Sequence, residues 1–248
     1  MWGRGQRPLR AKVAVMPSAE QPVGPAVSYA EPATRPAATT LEGRFVRLTP
    51  PNPGEDAADL FPVVSGPENA ALWTYLFNGP FASEEALSAE FAKTAGLVDP
   101  VFFAIRDAAT GRALGRASYM RIEPNHRVIE VGSILFSPLL QRTPAATEAM
   151  YLMARHVFED LGYRRYEWKC DALNAPSRAA AVRFGFRFEG VFRKHMIVKS
   201  RSRDTAWFAM TDDEWPRVKA AFERWLEPAN FDAEGRQTRR LEEIRAKL

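Results

Sequence analysis

Gln141–Met150 reads QRTPAATEAM, and the fold turns on whether this stretch opens a helix directly behind a strand. Thr143 suits the N-cap and Pro144 the first helical position. A hydroxyl there can accept a backbone proton, and proline lacks only an N–H that the first turn leaves unpaired anyway. A capping box would place Glu or Gln at 146, where Ala146 stands; the first glutamate, Glu148, comes later. The amides of Ala145, Ala146 and Thr147 then have no side chain competing for them at the positive end of the helix dipole, an arrangement that holds phosphate. Any capped strand–helix junction looks similar, so the flanking sequence has to decide.

Working outward, VIEVGSILFS (128–137) alternates as a strand that Pro138 ends. The helix runs to about Leu161, and YRRYEWKCD (163–171) is the next strand. A helix follows over Pro176–Phe184, then strands around Phe188–Lys199 and Asp204–Thr211. Upstream, RFVRLT (44–49) reads as a strand and Glu55–Val64 and Glu68–Tyr75 as helical. Ser83 caps SEEALSAEFAKTAG, which Gly96 stops. VFFAIRD (101–107) and ALGRASYMRI flank a DAATGR turn. Three meandering strands therefore precede two βα units. The expected fold is α/β, with a mixed, mostly antiparallel sheet of about seven strands and helices on both faces.

Residues 1–40 are expected to be a Pro- and Ala-rich, disordered basic extension, 41–211 the folded domain and 212–248 a C-terminal helical extension. Within the last, Asp212–Leu226 and Glu234–Lys247 read as helical, the second as a docking arm or a solvated helix. Pro17, Pro22, Pro25, Pro32 and Pro36 keep the early segment extended. Arg4, Arg7, Arg10 and Lys12 sit there without an acid, as a transit-like head, a plain extension or residues upstream of a start at Met16.

Composition excludes several classes. The chain of 248 residues carries 34 basic and 30 acidic side chains, so without those four head charges the remainder is neutral. A nucleic-acid footprint on the domain is not expected, although the head could serve as an RNA-binding arm. Cys170 is the one cysteine, which removes a disulfide framework and any multi-thiolate metal site. Histidines occur only at 126, 156 and 195, without metal-ligand spacing, so no metal is expected. No run is long and apolar enough for a membrane span, and no secretory signal is legible, so the expected location is cytoplasmic.

Residues 174–186, NAPSRAAAVRFGF, supply a second element that follows a strand and opens a helix. Together with QRTPAATEAM they resemble the GNAT superfamily of acyl-CoA-dependent N-acyltransferases. Gln141–Ala146 matches the Q/R-x-x-G-x-G/A loop. Asn174, Ser177, Gly185 and Phe186 match the N-x-x-S-x-x-x-x-x-x-x-G-F pattern of the branch containing the ribosomal-protein N-terminal alanine acetyltransferases. Ile129-Glu130-Val131-Gly132 and EGRFVRLTP also resemble strands of that branch. The likeness spans about Leu41 to Thr211. One departure is Pro144, where the family usually has glycine; one phosphate donor is lost, and Arg142 could compensate through charge.

The resemblance implies acetyl-CoA as co-substrate and transfer of the acetyl group to a primary amine by direct attack. The acceptor would be a protein N-terminus or a small-molecule amine, and the protein a monomer or homodimer. A non-catalytic acyl-CoA-binding sensor with the same fold is the alternative. The expected cofactor-binding residues are Leu135, Phe136, Gln141, Arg142, Thr143, Ala145, Ala146, Thr147, Asn174 and Ser177. Phe136 and its neighbours would meet pantetheine through backbone.

Glu130 is the candidate base, acting through water: one acid in an apolar strand, which burial would shift toward neutrality. It could equally be a strand carboxylate paired with Arg116 or Arg121. Ser177 is the second catalytic candidate: the resemblance implies that it faces the sulfur of coenzyme A, while the residue alone reads as an N-terminal helix cap. Asn174 would hold pantetheine amides or close an Asx turn. Trp73, Tyr75 and Phe81 suggest a lid over the amine pocket or a plain hydrophobic anchor. Tyr119, beside Glu130, and His195 complete the candidate substrate contacts. His156 is expected at the surface and Cys170 as a small buried apolar group.

Overall fold

The protein, described by a computed structural model over residues 21–29 and 31–248, divides at residue 30 into two units. Residues 21–29 hold no helix or strand. The basic head, Arg4 to Lys12, lies outside the described residues.

Residues 31–248 build one sheet of eight strands in the order β1-β2-β3-β4-β5-β6-β8-β7. These are β1 (Leu41–Glu42), β2 (Val46–Thr49), β3 (Val101–Asp107), β4 (Ala113–Glu123), β5 (Val128–Phe136), β6 (Arg165–Asp171), β7 (Arg187–Val198) and β8 (Arg201–Thr211). Only β5 and β6 run parallel. The two-residue β1 is the strand beyond the expected seven; it is too short to show alternation.

The helices are α1 (Pro53–Val64), α2 (Glu84–Ala92), α3 (Pro144–Arg155), α4 (Ala175–Phe184), α5 (Trp215–Leu226) and α6 (Leu241–Ala246). The expected helix at Glu68–Tyr75 is a 3-10 segment, Pro67–Trp73, and α3 leaves its last turn as a π-helical turn, His156–Asp160.

Alternation along the strands divides the core. One face carries Phe103, Tyr119, Ile129, Val131, Tyr166 and Trp168, packed with Met150, Met153 and Val157 of the α3 segment and with Phe222 of α5. The other carries a smaller cluster in which Leu60, Trp73, Leu87 and Phe91 cover Ala113 and Leu135.

Two polar ties fix the periphery. The Glu148 carboxylate of α3 accepts the amides of Arg44, Phe45 and Val46 at 2.9, 2.6 and 3.0 Å, which pins β2 to the helix. The Asp107 carboxylate accepts the amides of Ala109 and Thr110 and closes the turn into β4.

Three peripheral expectations change. The chain docks on the domain before Leu41: Ala33 is buried and its amide donates to the Pro124 carbonyl at 3.1 Å. The final helix is confined to Leu241–Ala246, and of the two expected alternatives it takes that of a docked arm. Leu241 and Ile244 are buried, and Arg245 donates to the carbonyls of Arg183 and Val182 at the end of α4. His156 is not a surface residue. Its ring stacks on Tyr119 and its Nδ1 lies 2.8 Å from Asp160, because the π turn carries the imidazole inward.

Candidate active site

The parallel pair β5–β6 stays in register for only four rungs, from Val128↔Arg165 to Val131↔Trp168. β5 continues to Phe136 and β6 to Asp171, but they no longer pair with each other. The remaining edge of β5 therefore presents backbone donors and acceptors to a gap, and such groups need partners. The cause is local. Ser133 has φ 51°, and Ser133–Ile134 bulges opposite Ala117 between the rungs Ser118↔Gly132 and Arg116↔Leu135. A bulge bends its strand and increases its twist. Gly132 stands at this divergence, where a Cβ would collide with the Met120 sulfur.

The helix expected from QRTPAATEAM begins at one end of the gap. Thr143 is the N-cap in extended conformation, Pro144 is the first helical residue, and Thr143 Oγ1 accepts the Ala146 amide at 3.2 Å. That bond uses one of the three amides expected to be open. Ala145 remains among the first-turn donors without an intrahelical acceptor. The Thr147 side chain is buried, and its hydroxyl accepts from Arg183 at 3.0 Å, tying α3 to α4. Arg142 is exposed in the left-handed region, φ 61°. The Gln141 side chain donates to the Phe136 carbonyl at 2.9 Å, so it braces the end of β5.

α4 opens at the opposite wall of the gap. Asn174, rather than Ser177, is its N-cap: Asn174 Oδ1 accepts the Ser177 amide at 3.1 Å. Ser177 sits one turn in, where its Oγ accepts the Trp168 indole N–H at 3.0 Å. Cys170 is buried beside the same hydroxyl, and its burial pushes the thiol pKa up. Leu135 presents only backbone to the gap, because its side chain is buried beneath α1 and α2.

Glu130 is buried, and it is ion-paired twice. Its Oε2 lies 2.6 Å from Arg121 Nε and 2.9 Å from Lys169 Nζ, and Lys169 also bridges to Glu167 at 2.9 Å. The Glu130 Oε1 atom is the less engaged, 3.5 Å from Arg121 Nη2 and facing Gly132. Arg116, the other expected partner, instead lies over the rings of Phe91 and Phe102; burial lowers its pKa to about 10.

The candidate substrate residues separate. The Trp73–Phe81 segment is strapped down. Lys199 Nζ donates to the carbonyls of Trp73, Asn78 and Gly79, and the Tyr75 hydroxyl reaches the Leu173 carbonyl at 3.2 Å. Trp73 is buried with its ring edge-on to Phe81, so these two anchor the segment. His195 Nδ1 lies 2.9 Å from Thr205 Oγ1, beside Phe192 and Trp207. Tyr119 departs from expectation. Residues 119 and 130 lie on opposite faces of the sheet, since Tyr119 pairs with Val131 and Met120 with Glu130. Its ring is fully buried and its hydroxyl donates to the Met153 carbonyl at 2.8 Å.

Lys169, Lys199 and Arg203 join the site without having been singled out. Glu167, Lys169 and Asp171 alternate along β6 on the face of Glu130, a period-2 charge pattern within YEWKCD that could have flagged Lys169. Nothing comparable marks Lys199, whose role depends on a loop 120 residues away.

The acetyltransferase (GNAT) domain model matches residues 46–187, which include the gap and both helix N-termini. The chain belongs to the GNAT acetyltransferase family. It is an N-acetyltransferase by that membership. A GCN5-related N-acetyltransferase from Brucella melitensis is 48% identical, with 87% of this chain and 98% of that one covered and a TM-score of 0.84. A probable GNAT-family acetyltransferase from Chromobacterium violaceum is 39% identical over 79% of this chain and 98% of its own, with a TM-score of 0.73. A proposed ribosomal-protein-serine acetyltransferase from Vibrio cholerae shares the fold at 18% identity, covering 72% and 99%, with a TM-score of 0.60. No curated protein matches the chain significantly. In this GNAT domain no group of His, Cys, Asp and Glu among the described residues could hold a metal ion. No helix among them is long and apolar enough to cross a membrane.

Proposed function

We propose that the protein moves an acetyl group from acetyl-CoA to a primary amine by direct attack, without an acyl-enzyme. The observation that carries this reading is the divergence of β5 from β6 after Val131, with a helix N-terminus at each wall of the opening. Acetyl-CoA would supply the activated carbonyl and a thiolate leaving group. The unpaired edge of β5, Gly132–Phe136, would take its pantetheine amides as a further strand. The Ala145 amide, the α3 dipole and Arg142 would hold the diphosphate, with the donor missing at Pro144.

Asn174 spends its carbonyl oxygen on the cap of α4, which leaves its amide nitrogen to donate to pantetheine. Ser177 accepts from Trp168 and has Cys170 within hydrogen-bond reach, so its hydroxyl hydrogen would turn from Cys170 to the leaving sulfur when coenzyme A is bound. Glu130 is anchored through Oε2, and its Oε1 would hold a water that takes the ammonium proton before attack. The amine would enter on the Glu130 face of the sheet, under the Trp73–Phe81 segment and beside His195.

Thiol release from acetyl-CoA, followed with a panel of primary amines, tests this reading. Release that depends on the amine, with the acetylated amine identified by mass, is the expected result. Binding of acetyl-CoA without release from any amine would contradict it.

A further inference from the structure

On the amine side of the cleft, Arg203 has no counter-ion among the described residues. Arg203 of β8 is about 93% buried in the sense that 7% of its surface is exposed. Its guanidinium lies 5.4 Å from the centre of the Phe77 ring in the Trp73–Phe81 segment, and Nε donates to Thr205 Oγ1 at 3.2 Å. Among the described residues no carboxylate comes within ion-pair distance of it, and its Nη atoms, which are not sealed from solvent, make no hydrogen bond to a described residue. Asp171 and Glu130 act on it only from farther away, and Arg121 opposes them. Asp171 Oδ1 is already accepting the Leu173 amide. Lys169 and Arg121 are already engaged with Glu130, and Lys199 with carbonyls of the Trp73–Phe81 segment.

A planar guanidinium whose stem is buried and whose two Nη groups are open to the cleft fits a carboxylate in a two-point pair. Position says where that carboxylate belongs. Trp207, Thr205 and Arg203 follow one another on one face of β8, and Trp207 is paired with Lys169, whose ring contact is 3.7 Å. Four residues of strand, roughly 13 Å, separate Trp207 from Arg203. The amine at Glu130 and the group at Arg203 are therefore on different parts of one acceptor.

We infer that the acceptor is a primary amine bearing a carboxylate several bonds from its nitrogen, and that Arg203 is the specificity-determining residue that binds this carboxylate. The inference rests on the transferase reading and narrows it. An ω-amino acid and a short peptide with an acidic side chain share this chemistry.

The test offers matched acceptors: γ-aminobutyrate and ε-aminocaproate against their amides, and glycylglutamate against glycylglutamine, both dipeptides amidated at the C-terminus. The acids are expected to exceed their amides by about tenfold or more in kcat/KM. That ratio should fall toward one in Arg203→Gln and partly persist in Arg203→Lys. Preference among the free amino acids alone would point to a small acceptor, and preference in the dipeptides to a peptide; either supports the inference. Equal rates for acids and amides in the wild-type protein would overturn it while leaving the transferase reading intact, and this arm needs no variant to fold. Should no amine release thiol, the transferase reading fails. Calorimetry with glutarate on the full chain then decides: binding that Arg203→Lys weakens supports the anion site, and no binding overturns it.

Discussion

Lys169 Nζ sits 2.9 Å from Glu130 Oε2 and 2.9 Å from Glu167 Oε2, one buried ammonium between carboxylates of neighbouring strands. The parallel register Glu130↔Glu167 brings the two acids side by side, and only a cation makes that tolerable. Lys169→Met should therefore destabilise the protein by about 3–5 kcal/mol, the usual consequence of stranding a buried charge. Combined with Glu130→Gln, the loss should be smaller than the sum of the single losses. Urea unfolding of the four proteins in the cycle measures both quantities.

Glu130→Gln on its own addresses chemistry. The glutamine keeps the shape but takes no proton, so kcat should fall by roughly a hundredfold or more, and the rise of rate with pH should flatten. Affinity for acetyl-CoA, read by calorimetry, should hold. Unchanged turnover would assign the proton to another group or to bulk water.

Lys199 holds the Trp73–Phe81 segment by three main-chain carbonyls, so Lys199→Ala should loosen residues 73–79 while sparing the proposed coenzyme wall. The expected outcome is a several-fold higher KM for the amine with little change in the KM for acetyl-CoA. Faster hydrogen exchange confined to the 73–79 segment would confirm the cause.

Glu148 satisfies three backbone amides of the β1–β2 connection. Glu148→Ala leaves them without that acceptor, the Val46 amide in a buried position and the other two half-buried, and a loss of about 3 kcal/mol is expected. For a chain of this size that lowers Tm by roughly 6–12 °C. Differential scanning fluorimetry is sufficient to see it.

Asp107 carries the pH dependence of the β3–β4 turn. The Thr110 amide is the main reason its carboxyl titrates below the ordinary 3.8. A carboxyl depressed in the folded state adds stability that is full above its unfolded value and disappears as pH falls through the folded one. The stability gap between wild type and Asp107→Asn should therefore be constant from neutrality to about pH 5. It should shrink below pH 3.8, as urea midpoints across the acid range would show.

Much of this fold is legible because its signals are local. The alternation of VIEVGSILF, the Thr143-Pro144 cap and the Ser83 cap each lie within one element, and each appears where its sequence puts it. Tyr119 shows the limit. One residue from the partner of Glu130, it faces the other way, and only the cross-strand register reveals that. The two-cation grip on Glu130 is similarly invisible. Arg121 and Lys169 come from different strands, and Lys169 reaches it across a parallel pairing that a helix of unknown path creates. The polar C-terminal stretch hides two apolar contacts, Leu241 and Ile244, too few to establish a helical period.

A crystal structure of the protein with bound coenzyme A is the most direct test of the central claim, that the β5–β6 divergence receives the co-substrate. Pantetheine is expected along Gly132–Phe136 with its sulfur near Ser177, and the diphosphate is expected against the Ala145 amide. Coenzyme A bound elsewhere, with the gap closed by the protein's own side chains, would contradict the account.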